Sequence, residues 1–196
     1  ASSGSAPTAM GYRFLTLEKN CPARWGPDLR REYTYAISCL AFCLLGAWAI
    51  GYRGAVCAWL AGSTTASWPY FGERMLLVHG CADVLQGVLS FCSDVVFVDR
   101  PSAVHLADRA LATLLTLLGV YIELTVLLFS RLTLALRALM ATLLFGALFH
   151  HFRAKAAIRQ QVYGTYVTSH TLWHFGICAS LPVPVSLAVG SALFGR

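Results

Sequence analysis

Residues 102–129 read SAVHLADRALATLLTLLGVYIELTVLLF, and this stretch decides the fold. Between Arg109 and Ser130 stand twenty residues that carry a single charge, Glu123. At about 1.5 Å per residue such a helix covers about 30 Å, the thickness of a bilayer's hydrocarbon core. The stretch follows a break at D-R-P-S (99–102) and ends at a tight reversal, Ser130–Arg131. It reads as a membrane span.

Working outward, similar runs recur. The first span is expected over about 33–52, ending at Arg53–Gly54 or continuing to about 60. The second covers about 73–98, the third 102–129, the fourth about 132–151 and the fifth about 163–181. The whole chain of 196 residues is 57% hydrophobic and only 12% charged, with a mean hydropathy of +0.62. Soluble domains carry roughly a quarter charged residues, so composition agrees with the runs. The expected fold class is all-α, a polytopic integral membrane bundle of about five helices. Three segments follow: a basic solvent-side arm at 1–32, broken by Pro7, Pro22 and Pro27; the bundle at 33–181; and an apolar piece at 182–196, too short to span and expected to lie in the interface. Trp68, Tyr70 and Phe71 mark the turn after the first span as interfacial.

The formal charge of +6 does not form a nucleic-acid footprint, because cations gather at the ends of apolar runs. With five spans, the arm, the loop near Arg100 and the basic connector HHFRAKAAIR (150–159) share one side. That side is expected to be the cytosol, matrix or stroma. Seven cysteines, mostly within apolar runs, show no CxxC pair and no disulfide framework. The first residues, ASSGSAPTAM, resemble the remainder of a transit or signal peptide. An organellar setting, thylakoid or mitochondrial inner membrane, is one expectation.

Charge inside a span costs about 2.5–3.5 kcal/mol on insertion scales, so it must face the bundle interior. Four of the nine acids fall in the apolar runs: Asp83, Asp94, Asp108 and Glu123. In the second span His79, Asp83, Gln86, Ser90 and Asp94 recur every three or four residues and line one helix face. Such a stripe serves buried pairing, with Arg109 or Arg137 as partners, or a proton path. His105 and Asp108 stand one turn apart at the start of the third span, and His170 and His174 one turn apart in the fifth. Counted from the span ends, Ser90, Asp94, Asp108, His170 and His174 sit at a common depth and are expected to meet in one pocket. The His pair has three readings: interhelical hydrogen bonds, a metal, or axial ligation of a pigment or haem. His150–His151 reads as a surface facing lipid headgroups.

The string S-H-T-L-W-H (169–174) resembles the H-S-x-W-H of the myomaker-like branch of the CREST superfamily, and S-F-C-S-D (90–94) can be laid over its Y-H-x-C-D. That superfamily includes alkaline ceramidases and progestin and adiponectin receptors. The resemblance implies a zinc site on His170 and His174 with Asp108 as ligand or as orienter of a bound water, and a lipid amide hydrolase activity. Phe91 occupies the place of the second-span histidine, no S-x3-H occurs, and His105 is the available third ligand. The distance from Asp108 to His170 is short of a seven-span core by about two helices.

No GxSxG, GxxxxGK[ST] or GxGxxG motif is present. The reading is a noncatalytic accessory subunit of a larger membrane complex, with no catalytic residues and no cofactor expected. Zinc and a bound lipid or pigment are the open possibilities, and the partners are other membrane subunits and lipids, with no nucleic acid. The alternative is the zinc-dependent hydrolase.

Overall fold

The computed structural model describes residues 25–63, 72–130 and 132–194. A single turn, α1 (Gly26–Leu29), leads into α2 (Tyr33–Cys39) and α3 (Ala41–Ser63). Then come α4 (Glu73–Phe91), a π-helical turn (Cys92–Val96), α5 (Ala103–Phe129), α6 (Leu134–Gln160), α7 (Tyr163–Ser180) and α8 (Pro182–Phe194). Five stretches are long and apolar enough to cross a membrane: Tyr33–Gly62, Glu73–Val96, Ala103–Phe129, Leu134–Gln160 and Tyr163–Ala192. The protein is an all-α membrane bundle.

Local chemistry sets the helix ends. The hydroxyls of Ser102 and Thr133 accept from the backbone N–H of Val104 (3.2 Å) and Leu136 (3.3 Å), capping α5 and α6. Gln161, at φ 59°, is a left-handed residue. It closes α6 as Val162 N–H returns to Ala157 O at 3.0 Å, a place where glycine is usual.

Three boundaries differ from the sequence reading. The basic connector is not a loop: α6 runs on to Gln160, because Ala154, Ala156 and Ala157 are strong helix formers. L-P-V-P (181–184) is not an end, since Pro182 and Pro184 fall in the first turn of α8, where a missing N–H costs nothing. Val185, Ala188 and Val189 of α8 are buried in the core with Met140, Val126 and Val56, so this segment belongs to the bundle. Pro27 likewise starts α1 rather than breaking it, and Trp25 and Leu29 are buried against Tyr166, Val98 and Ala157. The rest of the arm, the aromatic turn with Trp68, Tyr70 and Phe71, Cys21 and Arg131 lie outside the described residues. The remaining six cysteines are free.

Arg30 forms an ion pair with Asp99, and its Nε donates to Val95 O at 3.2 Å. The end of the arm, the loop after the π turn and the α6–α7 turn therefore share one end of the bundle, the arm end. Arg137 is not a partner of the polar stripe. It stands at the opposite end and donates to the carbonyls of Ser130 and Leu132, closing the α5–α6 turn.

The most extensive packing joins α6 to α7 and α3 to α4, whereas α5 leans on α4 and meets α6 only slightly. In lipid, helices gain nothing from excluding hydrocarbon and hold by close fit. Here α3 and α4 touch backbone to backbone: a Cβ added to Gly80 would stand 2.8 Å from Gly46 O and from Ile50 Cγ1, and one on Gly46 would overlap Gly80 O. Gly119 and Gly146 face open space. Gly46→Ala is accordingly expected to cost about 1–3 kcal/mol by overpacking, while Gly146→Ala raises stability by about 0.5–1 kcal/mol. Thermal unfolding in detergent measures both, and equal effects would refute the close crossing.

Candidate functional site

The polar face of α4 points into protein: Asp83 and Gln86 are each 1% exposed, Ser90 3% and Asp94 in the following turn 7%. The π turn brings Ser93 and Asp94 inward together. Its organiser is His105, fully buried near the start of α5. The His105 Nε2 faces two carbonyls, Phe97 O at 3.1 Å and Arg100 O at 2.9 Å, so this nitrogen carries the proton. Nδ1, 2.9 Å from Ser93 Oγ, then accepts from that hydroxyl. With both nitrogens engaged, His105 is a latch between α5 and the end of α4 rather than a third ligand.

Beside this latch lies a cavity of about 520 Å³ between α4, α5, α6 and α7. Ser90, Asp94, Asp108, His170 and His174 all line it. His170 Nε2 stands 3.3 Å from Asp94 Oδ2, close enough to pair electrostatically but not aligned as a hydrogen bond. The rings of His170 and His174 are 4.3 Å apart, and His174 Nδ1 is 3.3 Å from Ser38 Oγ. Gln86 Nε2 donates to Asp108 Oδ1 at 2.6 Å, and Arg109 Nε donates to His105 O at 2.9 Å. Two buried atoms of the lining have no hydrogen-bond partner, His170 Nε2 and Gln86 Oε1. The cavity is half open: Leu106, Ala110, Thr113 and Lys155 at its rim are exposed.

Among the described residues no three His, Cys, Asp or Glu side chains are grouped as a metal requires. Asp108 is tied to Gln86, His174 to Ser38, and His105 to the latch. Phe91 is half-buried and does not line the cavity. Trp173 is buried in a core cluster with Leu144, Ala147 and Ile177.

The remaining intramembrane residues, His79, Asp83 and Glu123, surround a second, smaller cavity of about 40 Å³. Other contributors were missed in the sequence. His151 faces the cavity with its ring 4.6 Å from Trp173, not the headgroups. The signal was available, because Leu144, Ala147, His151, Ala154 and Ile158 follow helical spacing on the face that meets α7. Tyr35 and Tyr166 meet through their hydroxyls at 3.1 Å beneath Trp25, a contact across 131 positions that no local pattern announces.

No protein-family model, curated protein or solved structure matches this chain.

His105→Ala should lower stability by about 2–4 kcal/mol, from the buried void and the unpaired Ser93, Phe97 and Arg100 groups. His170→Ala, at the wall of an open cavity, should cost under about 1 kcal/mol. Thermal unfolding of both variants in detergent tests this, and a small His105 effect would dismiss the latch.

Proposed function

We propose that the chain is a noncatalytic accessory subunit of a larger membrane assembly, and that its main cavity holds the polar head of a membrane lipid. One observation carries the reading. A polar wall of Gln86, Asp94, Asp108 and His170 lies behind a rim that opens between the loosely joined α5 and α6, with Lys155 and Arg109 beside it. A volume of about 520 Å³ falls within the range of small-molecule sites. The buried acceptor Gln86 Oε1 and the poorly aligned His170 Nε2 are the groups such a head would satisfy. The polar side chains otherwise bind one another, which suits a holding site better than a reacting one.

The proposed setting is a thylakoid or mitochondrial inner membrane with the arm end on the matrix or stromal side. The cations Arg30, Arg31, Arg100, Arg153, Lys155 and Arg159 at that end support the orientation. A second reading, the zinc-dependent lipid hydrolase, is favoured by the meeting of His170, His174, Asp94, Asp108 and Ser90 in one cavity.

One preparation separates the two. Purified in mild detergent, the protein is expected in a large assembly with co-purifying lipid and no stoichiometric zinc. A stable monomer holding one zinc per chain, lost in His170→Ala, would replace the accessory reading with the hydrolase.

A further inference from the structure

The second cavity poses a separate problem. It lies between α3, α4, α5 and α7, and three atoms at or beside it are buried without a hydrogen-bond partner: His79 Nδ1, Asp83 Oδ2 and Glu123 Oε2. Asp83 is 1% exposed and Glu123 3%. His79 Nε2 stands 3.4 Å from Asp83 Oδ2, off the line of a hydrogen bond, and Ser180 Oγ donates to Glu123 Oε1 at 2.7 Å. One oxygen of each carboxyl lacks a hydrogen bond: Asp83 Oδ2, which His79 approaches off-line, and Glu123 Oε2. Leaving such a group dry costs about 1–3 kcal/mol or more, so something fills the space.

The occupant is narrowed by size and charge. A volume of about 40 Å³ is too small for a headgroup and admits about three water molecules. No Lys or Arg lines it, and among the described residues no metal-holding group of three donors is found. The Cys178 thiol on α7 lies within electrostatic reach of both carboxyls. Water and protons remain.

The two cavities share a wall. Phe42 and Thr116 line both. From His79 to Asp94 the polar stripe covers fifteen residues, about 22 Å of helix, and a bilayer core measures about 30 Å. His79, whose side chain is 15% exposed, lies toward the end opposite the arm, and the large cavity opens near the arm end.

We propose that Asp83 and Glu123 form a hydrated proton relay that, with the polar wall of the large cavity, carries protons across the bundle. In each step a carboxyl O–H gives its proton to a neighbouring water oxygen, and an incoming proton restores it, arriving as hydronium or through the His79 ring, which takes a proton on one nitrogen as it releases one from the other. No bond to carbon changes and no electrons are transferred. Phe42 and Thr116 form the constriction, with the Thr116 hydroxyl as the polar stepping point between the two cavities.

The test is proton flux into liposomes reconstituted with the full chain, read by a trapped pH dye under an imposed pH gradient with potassium and valinomycin clamping the potential. Wild-type protein is expected to dissipate the gradient faster than protein-free liposomes. Asp83→Asn and Glu123→Gln, which keep side-chain size, should return the rate to the protein-free baseline, while Asp28→Asn, at an exposed position of α1, conducts like the wild type. Wild-type liposomes no leakier than empty ones, or variants that conduct unchanged, would overturn the relay. Where a variant fails to fold, the wild type alone decides by infrared spectroscopy. Its buried carboxyl C=O band must shift promptly on transfer to D2O, and a band that does not exchange also overturns the proposal.

Discussion

Four carboxyl groups, Asp83, Asp94, Asp108 and Glu123, cannot stand against acyl chains, and the arrangement of the helices follows from keeping them away. Each charged group left in hydrocarbon would cost several kcal/mol, comparable with the whole stability of many proteins. A face of α4 that carries two acids, a glutamine and a serine must therefore be covered along its length. Coverage comes from α2, α3 and α5, while α6, with no acid of its own, packs on α7 and shows much of its remaining surface to lipid. The glycines at 46, 80 and 87 let α3 approach α4 backbone to backbone, so this side of the stripe is sealed by main chain and small side chains.

The spans were legible because hydrocarbon thickness imposes a length that composition reveals directly. Legible too was the meeting of Ser90, Asp94, Asp108, His170 and His174, since depth in a membrane is a coordinate that residue counting measures. What failed was the reading of helix ends by polarity. The stretch 150–159 looks like a loop because it is basic, yet backbone hydrogen bonding and alanines carry α6 through it, and its cations only need to reach water. The two prolines after Leu181 look like a stop because proline breaks helices, yet at the start of a helix it breaks nothing. The role of His105 was hidden for another reason. Its partners are the Ser93 hydroxyl inside the π turn and the carbonyls of Phe97 and Arg100 just after it, and no side-chain pattern encodes an i→i−5 bond.

That π turn explains why the polar stripe ends as it does. In a regular helix, consecutive residues differ in direction by about 100°, and Ser93 and Asp94 would not both be deeply buried against separate partners. Widening the turn lets Ser93 reach His105 while Asp94 turns toward His170 and the Cys39 thiol, 4.0 Å away. π turns of this kind occur often at functional sites, where their weaker backbone bonding is offset by side-chain contacts. The latch and the cavity are thus one construction: His105 holds the geometry that aims Asp94.

α5 deserves its place at the centre of any mechanism because it serves both cavities. Asp108 and Glu123 lie fifteen residues, about 22 Å, apart on it, one in each cavity, with Thr116 between them on the shared wall. It is also a lightly buried span, with 22% of its most apolar window inside the protein, and it meets α6 only slightly. A molecule entering between α5 and α6 displaces α5 more easily than the tightly crossed α3–α4 pair. Any tilt of α5 about its contact with α4 moves Asp108, Thr116 and Glu123 together. Groups of both cavities are therefore carried on a single helix.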